Sequence, residues 1–156
     1  MEKETLKRIF DFLEENDDIK TPFLWKWVNN ELTKEDLNIK GNLNLEFTTV
    51  TSLPNGMRVE GKLWLLGSEI NSLPEGLYVK DSFNLSHTNI ESLPDNLYVG
   101  GDLNFRHSDI EEIPKNLYVG GNLYIEESFL AKKYTDGEIR RNKNLNNGSF
   151  KGNIIR

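Results

Sequence analysis

Cysteine is absent from the 156-residue chain. Its absence excludes disulfides, cysteine-bound zinc, iron–sulfur clusters and every cysteine nucleophile. Histidine occurs only twice, at His87 and His107. No apolar run approaches the ~20 residues that a membrane helix needs. The start, Met1-Glu2-Lys3-Glu4-Thr5, mixes charges and has no apolar stretch behind it, unlike a secretory signal. The expectation is therefore a soluble, cytoplasmic protein. There is no excess of positive charge: the net charge is −6, which argues against a general nucleic-acid binder. No Gly-Lys-Ser/Thr follows the Gly-Gly pairs at 100–101 and 120–121, and no serine sits in a Gly-x-Ser-x-Gly elbow. The chain thus reads as a non-catalytic protein without a cofactor. Its length suffices for one domain with a buried core.

What is present is a repeat. Segments 52–71, 72–91, 92–111 and 112–131 align without gaps at a period of 20, and 32–51 is a weaker fifth copy with Lys34 in place of the proline. With positions numbered 1 to 20 in each copy, position 6 holds Leu37, Met57, Leu77, Leu97 and Leu117. Position 8 holds Ile39 and then Val59, Val79, Val99 and Val119. Position 12 holds Leu43, Leu63, Phe83, Leu103 and Leu123; position 14 holds Leu45, Leu65, Leu85, Phe105 and Ile125; position 19 holds Val50, Ile70, Ile90, Ile110 and Leu130.

Apolar pairs two residues apart specify strands, and a proline or glycine in each copy excludes one long helix. Position 5 (Asp36, Gly56, Gly76, Asn96, Asn116) and position 10 (Gly41, Gly61, Asp81, Gly101, Gly121) carry turn residues that tolerate positive φ. A single copy is too small to bury its apolar side, so the copies are expected to stack as parallel strands ~4.8 Å apart. Position 17 (Thr48, Ser68, Thr88, Ser108, Ser128) reads as a ladder of hydroxyls bonded to backbone.

The pattern Leu-Pro-x-x-Leu-x-Val-x-Gly-x-Leu-x-Leu-x-x-Thr-x-Ile resembles the short leucine-rich repeats of bacterial and bacteriophage proteins, over residues 32–131. The Leu-Pro pair is similar to that of secreted bacterial effector ligases, but the catalytic cysteine of those enzymes has no counterpart here. The variant Val99-Gly100-Gly101-Asp102-Leu103-Asn104-Phe105 looks more like repeats of phage-encoded proteins. Two departures stand out: position 9 is polar or glycine, and the motif's asparagine is replaced by Thr or Ser. The resemblance implies a repeat protein of the α+β class, a five-coil leucine-rich-repeat or β-solenoid. It further implies protein–protein interaction, with a phage-encoded inhibitor of a host defence protein as the specific form.

The flanks differ from the repeats. Residues 1–31 read as a helical N-terminal cap: 3–16 place Leu6, Ile9, Phe10 and Leu13 on one helical face, and Thr21-Pro22 opens a second helix through Val28. Trp25 or Trp27 is an alternative partner contact on that helix. Residues 132–156 read as a basic, mixed C-terminal cap and tail. Seven basic residues there (Lys132, Lys133, Arg140, Arg141, Lys143, Lys151, Arg156) meet two acidic ones, giving +5 and leaving −11 on residues 1–131. Thr135-Asp136-Gly137-Glu138 is a capping box for a helix reaching about Lys143, and Asn147-Gly148 suggests a β-ribbon over 144–156.

Stacking turns residues 20 apart into columns. Position 7 gives a stripe of Tyr78, Tyr98 and Tyr118, and tyrosine is a common interface anchor. Around position 13, Trp64, Leu66, Arg106 and Tyr124 form a second candidate binding face. Position 16 gathers His87, His107 and Glu127, a possible metal set, although coil spacing separates them. Carboxylates near positions 18 to 1 (Glu69, Glu91, Asp109, Glu111, Glu112) read as a solubilising face; a hydrolase would also need a cleft. The leading expectation is a protein-binding module whose acidic body suits a partner with a basic surface. It involves no specific nucleic acid and no membrane, and the chain is a monomer or weak homo-oligomer. The competing expectations are a homo-oligomeric structural protein and a metal-dependent site at His87, His107 and Glu127.

Overall fold

The computed structural model describes residues 3–15, 20–145 and 151–156. Each 20-residue copy supplies two short strands. The first set is β1 (Asn38–Ile39), β3 (Arg58–Val59), β5 (Tyr78–Val79), β7 (Tyr98–Val99) and β9 (Tyr118–Val119). The second is β2 (Leu43–Asn44), β4 (Leu63–Trp64), β6 (Phe83–Asn84), β8 (Leu103–Asn104) and β10 (Leu123–Tyr124). Each set forms its own parallel sheet in strict 20-residue register, for example Tyr78↔Tyr98 and Leu103↔Leu123. The molecule is a parallel-strand β-solenoid.

The apolar columns explain this register. Positions 8, 12 and 14 are buried in every copy, and positions 6 and 19 are buried in all but the first. Shifting one coil by a single residue would turn its whole apolar set to solvent. The strands stay two residues long because the turn at positions 9–11 interrupts the period-two pattern.

Polar side chains at fixed positions close the backbone. Position 17 donates its hydroxyl to the position-14 carbonyl of its own coil in all five copies: Thr48 to Leu45 (2.7 Å), Ser68 to Leu65 (2.7 Å), Thr88 to Leu85 (2.7 Å), Ser108 to Phe105 (2.6 Å) and Ser128 to Ile125 (2.6 Å). Ser108→Ala strands a buried carbonyl and is expected to cost about 1–3 kcal/mol. Urea unfolding with an unchanged m-value checks this, and a midpoint equal to wild type would show that the ladder carries no stability.

Position 11 links neighbouring coils. The amide N–H of Lys62 donates to Asn42 Oδ1 (2.8 Å), that of Asp102 to Ser82 Oγ (3.1 Å) and that of Asn122 to Asp102 Oδ1 (2.7 Å). Lys62 has no acceptor to offer the next coil. There the Ser82 N–H bonds Asp81 Oδ1 instead, at 2.7 Å. Asp81 is also the one non-glycine at position 10, so the two exceptions compensate each other.

The turn expectations divide. Position 5 is left-handed at Gly56, Gly76, Asn96 and Asn116. Position 10 is not. Its glycine serves close approach: a Cβ on Gly121 would lie 2.3 Å from Asp102 Oδ1 and 2.8 Å from the Gly101 backbone. The other left-handed column is position 16, at Phe47, Gly67, His87, His107 and Glu127, with φ between 52° and 60°. Only one glycine and no asparagine marks it, so the turn-residue rule missed it.

Two helices precede the first strand, α1 (Lys3–Glu15) and α2 (Lys20–Val28). Lys20 is already helical, so Thr21 lies inside the first turn rather than at its cap. The side chains of Leu6, Phe10 and Leu13 fall outside the described residues; Ile9 is exposed. Phe23 of α2 joins the buried core, with Trp27 packed beside it at 5.7 Å between ring centroids. Lys26 Nζ reaches Asp36 at 2.5 Å. Partial burial raises the Asp36 pKa, but hydrogen bonds from Lys26 and Thr33 outweigh it and hold the carboxyl below its ordinary value.

After the fifth copy come α3 (Phe129–Lys133) and α4 (Asp136–Arg140). Ser128 caps α3 by accepting from the Ala131 N–H at 3.2 Å. The expected capping box of α4 is present, with the Glu138 carboxyl held low by hydrogen bonds from Thr135. The helix ends at Arg140 rather than near Lys143, because Arg141 leaves helical geometry at φ −94°, ψ 7°. The β-ribbon expectation is corrected: β11 (Ile154–Ile155) is a sixth parallel strand, registered Leu123↔Ile154 against β10. Asn147-Gly148 lies outside the described residues. β11 pairs this way because Lys151-Gly152-Asn153-Ile154 repeats Lys40-Gly41-Asn42-Leu43 at positions 9 to 12, out of phase with the 20-residue period. The Asn153 N–H even continues the position-11 ladder to Asn122 Oδ1 at 2.9 Å. No helix among the described residues is long and apolar enough to cross a membrane.

Candidate functional site

Position 13 distinguishes what the fold needs from what it does not. In three copies it is asparagine, and each side chain accepts the position-15 N–H of its own coil: Glu46 to Asn44 (2.9 Å), Ser86 to Asn84 (3.1 Å) and Arg106 to Asn104 (3.1 Å). These bonds tighten the turn that follows each strand. Trp64 and Tyr124 occupy the same position and give up that bond. Both are half-buried on the outward side of the second sheet, where Leu66 is also half-buried rather than fully exposed. The three strand spacings between β4 and β10 put the two aromatics about 14 Å apart. Between them lie the short side chains of Asn84, Ser86 and Asn104.

Arg106 belongs to the Tyr124 end. Its guanidinium carbon sits 4.8 Å from the Tyr124 ring centroid, and its Nε is 3.3 Å from the Glu126 carboxylate. The stacking holds a charged and an aromatic side chain in one orientation, and both residue types are enriched among interface anchors.

The tyrosine stripe lies on the first sheet, a different face. Tyr78, Tyr98 and Tyr118 stack with centroids 4.7 Å apart and interplanar angles of 9° and 5°. That distance is the strand spacing itself, so backbone register and ring stacking reinforce each other. The sequence therefore nominated two separate surfaces, and the structure does not merge them.

The metal set does not assemble. His87 and His107 stack at 4.4 Å, ring on ring, which does not converge their lone pairs. Glu127 faces Lys132 at 3.6 Å instead. Among the described residues no group of three metal-ligating side chains is present.

The carboxylates collect on the third side of the coil, away from both sheets. Four of the five expected there, Glu91, Asp109, Glu111 and Glu112, line an open groove of about 800 Å³ with Asp95, Phe129 and Lys115; Glu69 is not in its lining. The basic tail is partly spent on this acidic body: Lys133 reaches Glu112 at 3.5 Å and Glu111 at 3.8 Å. Arg156 bonds Asp136 and the carbonyls of Ala131 and Tyr134, and Arg140 donates to the Gly152 carbonyl at 2.8 Å. Sequence reasoning missed this internal use, because charge counts do not show which charges meet. The chain matches no family model, no curated protein and no solved structure.

Proposed function

We propose that the protein is a non-catalytic protein-interaction module of the leucine-rich-repeat type. The observation that carries this is the exchange of asparagine for Trp64 and Tyr124. The fold has a structural use for asparagine at that position, and the chain surrenders it twice in favour of interface-prone aromatics. Departures of this kind belong to functional surfaces, where local rules are given up for contact with a partner. Leu66 and Arg106 complete the face beside the two rings. A basic partner surface would be drawn to the carboxylate groove on the third side of the coil. The phage-type form of the repeats supports a host-directed role, with inhibition by masking a host defence protein as its simplest form.

Affinity capture from bacterial lysate tests the reading. Wild type is expected to retain a partner that Trp64→Ala and Tyr124→Ala lose by about tenfold or more, the scale of an interface anchor. Equal retention by both variants removes this face from the proposal.

A further inference from the structure

We infer that the tyrosine column of the first sheet docks an acidic segment of the partner protein; this rests on the protein-binding reading above and names the chemistry of one surface. The column runs against the charge of the molecule. Its ends are cationic: Arg58 lies 3.8 Å over the Tyr78 ring and the Lys151 ammonium 5.7 Å from the Tyr118 ring. Position 9, beside it on the same sheet side, adds Lys40 and Lys80. Glu60 is the one carboxylate at positions 7 and 9, and it already faces Lys80 at 3.6 Å and Arg58 at 3.7 Å. The strip is therefore positive on a chain whose net charge is −6.

Shape points to an extended chain. Gly100 and Gly120 stand at position 9 next to Tyr98 and Tyr118 and put no side chain over those rings; their own Cβ positions are filled by the carbonyls of the preceding coil. The three rings form a straight column in 4.7 Å steps, a linear surface that an extended segment can follow. The ring faces are occupied by one another, so the column presents edges and phenolic hydroxyls, which donate to carboxylates. A nucleic acid would want open ring faces for its bases, and none is open between Tyr78 and Tyr118. The carboxylate groove binds the opposite charge on another side of the coil, so the two surfaces are separable by experiment.

The test is calorimetric titration of the whole chain with a deca-glutamate peptide, with deca-lysine and deca-thymidylate as comparators. Deca-glutamate is expected to bind, more weakly as salt rises. The double variant Lys80→Ser/Lys151→Ser, which alters only exposed side chains, is expected to weaken that binding about tenfold and leave deca-lysine unaffected. Tyr98→Ser, its fold verified by circular dichroism, is expected to weaken it similarly. Absence of deca-glutamate binding, unchanged binding by the double variant, or tighter binding of deca-thymidylate to the same residues would each overturn the inference. So would self-association that the double variant abolishes, because the occupant would then be a second copy. A captured partner lost with Trp64→Ala but kept by the double variant overturns the inference alone. Deca-glutamate binding lost in the double variant, without any partner sensitive to Trp64, supports the strip and overturns the other face.

Discussion

Phe83→Ala is expected to uncouple the two halves of the solenoid. Phe83 is fully buried at position 12 of the central copy, in register with Leu63 on one side and Leu103 on the other. Removing a buried phenyl ring costs about 3–5 kcal/mol. A domain of this size has a total stability of about 5–15 kcal/mol, so the loss is a large part of it. In a stacked repeat each coil is stabilised chiefly by its neighbours, so a defect in the middle breaks cooperativity there. All three tryptophans, Trp25, Trp27 and Trp64, lie before the defect. Tryptophan fluorescence therefore follows the first half, and circular dichroism follows the whole. The two urea transitions should coincide in wild type and separate in Phe83→Ala. Coincident transitions with a loss below about 1 kcal/mol would show that the coils relax around the cavity.

Gly120→Ala is expected to damage the first sheet for a different reason. The added Cβ would lie 2.2 Å from the Gly100 carbonyl oxygen and 3.0 Å from its carbon. That obstacle is backbone, and it is held on both sides by inter-coil bonds: the Gly120 N–H donates to Val99 and the Gly121 N–H to Gly101, at 2.9 and 2.8 Å. The clash has no flexible side chain to displace, so the cost is placed at about 3 kcal/mol, the upper end for overpacking. Gly76→Asn is the matched control. Gly76 is left-handed at φ 67°, with open space around its Cβ position, and asparagine already fills the same column at Asn96 and Asn116. Its expected cost is below about 0.5 kcal/mol, since the conformation suits asparagine. Equal urea midpoints for the two variants would show that position 9 has room the backbone geometry denies.

Much of the architecture was legible in the order of residues. A 20-residue period with apolar residues at positions 6, 8, 12, 14 and 19 admits one parallel stacking, because any other register exposes the core. The hydroxyl column and the tyrosine stripe followed from the same count, the stripe because rings repeated at the strand spacing must meet their own copies; the capping box at Thr135 and Glu138 followed from its local three-residue spacing. Other features were not legible. The left-handed turn at position 16 is set by how the corner closes over the core, and its side chains are too varied to signal it. The sixth strand was hidden by an interruption: two helices separate β11 from β10, and the repeat returns 31 residues later rather than 20.

The sequence by itself determined the coil, its register and which side chains form columns, for these depend on local pattern and period. The tertiary structure alone decided which charges meet and which faces stay open. Lys133 and Arg156 turn inward to the acidic body and the helix ends, while Arg58 and Lys151 close a tyrosine stack on the opposite electrostatic terms. Such pairings join residues far apart in the chain, and only the folded path brings them within a few ångströms of each other. Asparagine at position 13 acquired its meaning in the same way: its bond to the position-15 N–H marks Trp64 and Tyr124 as departures.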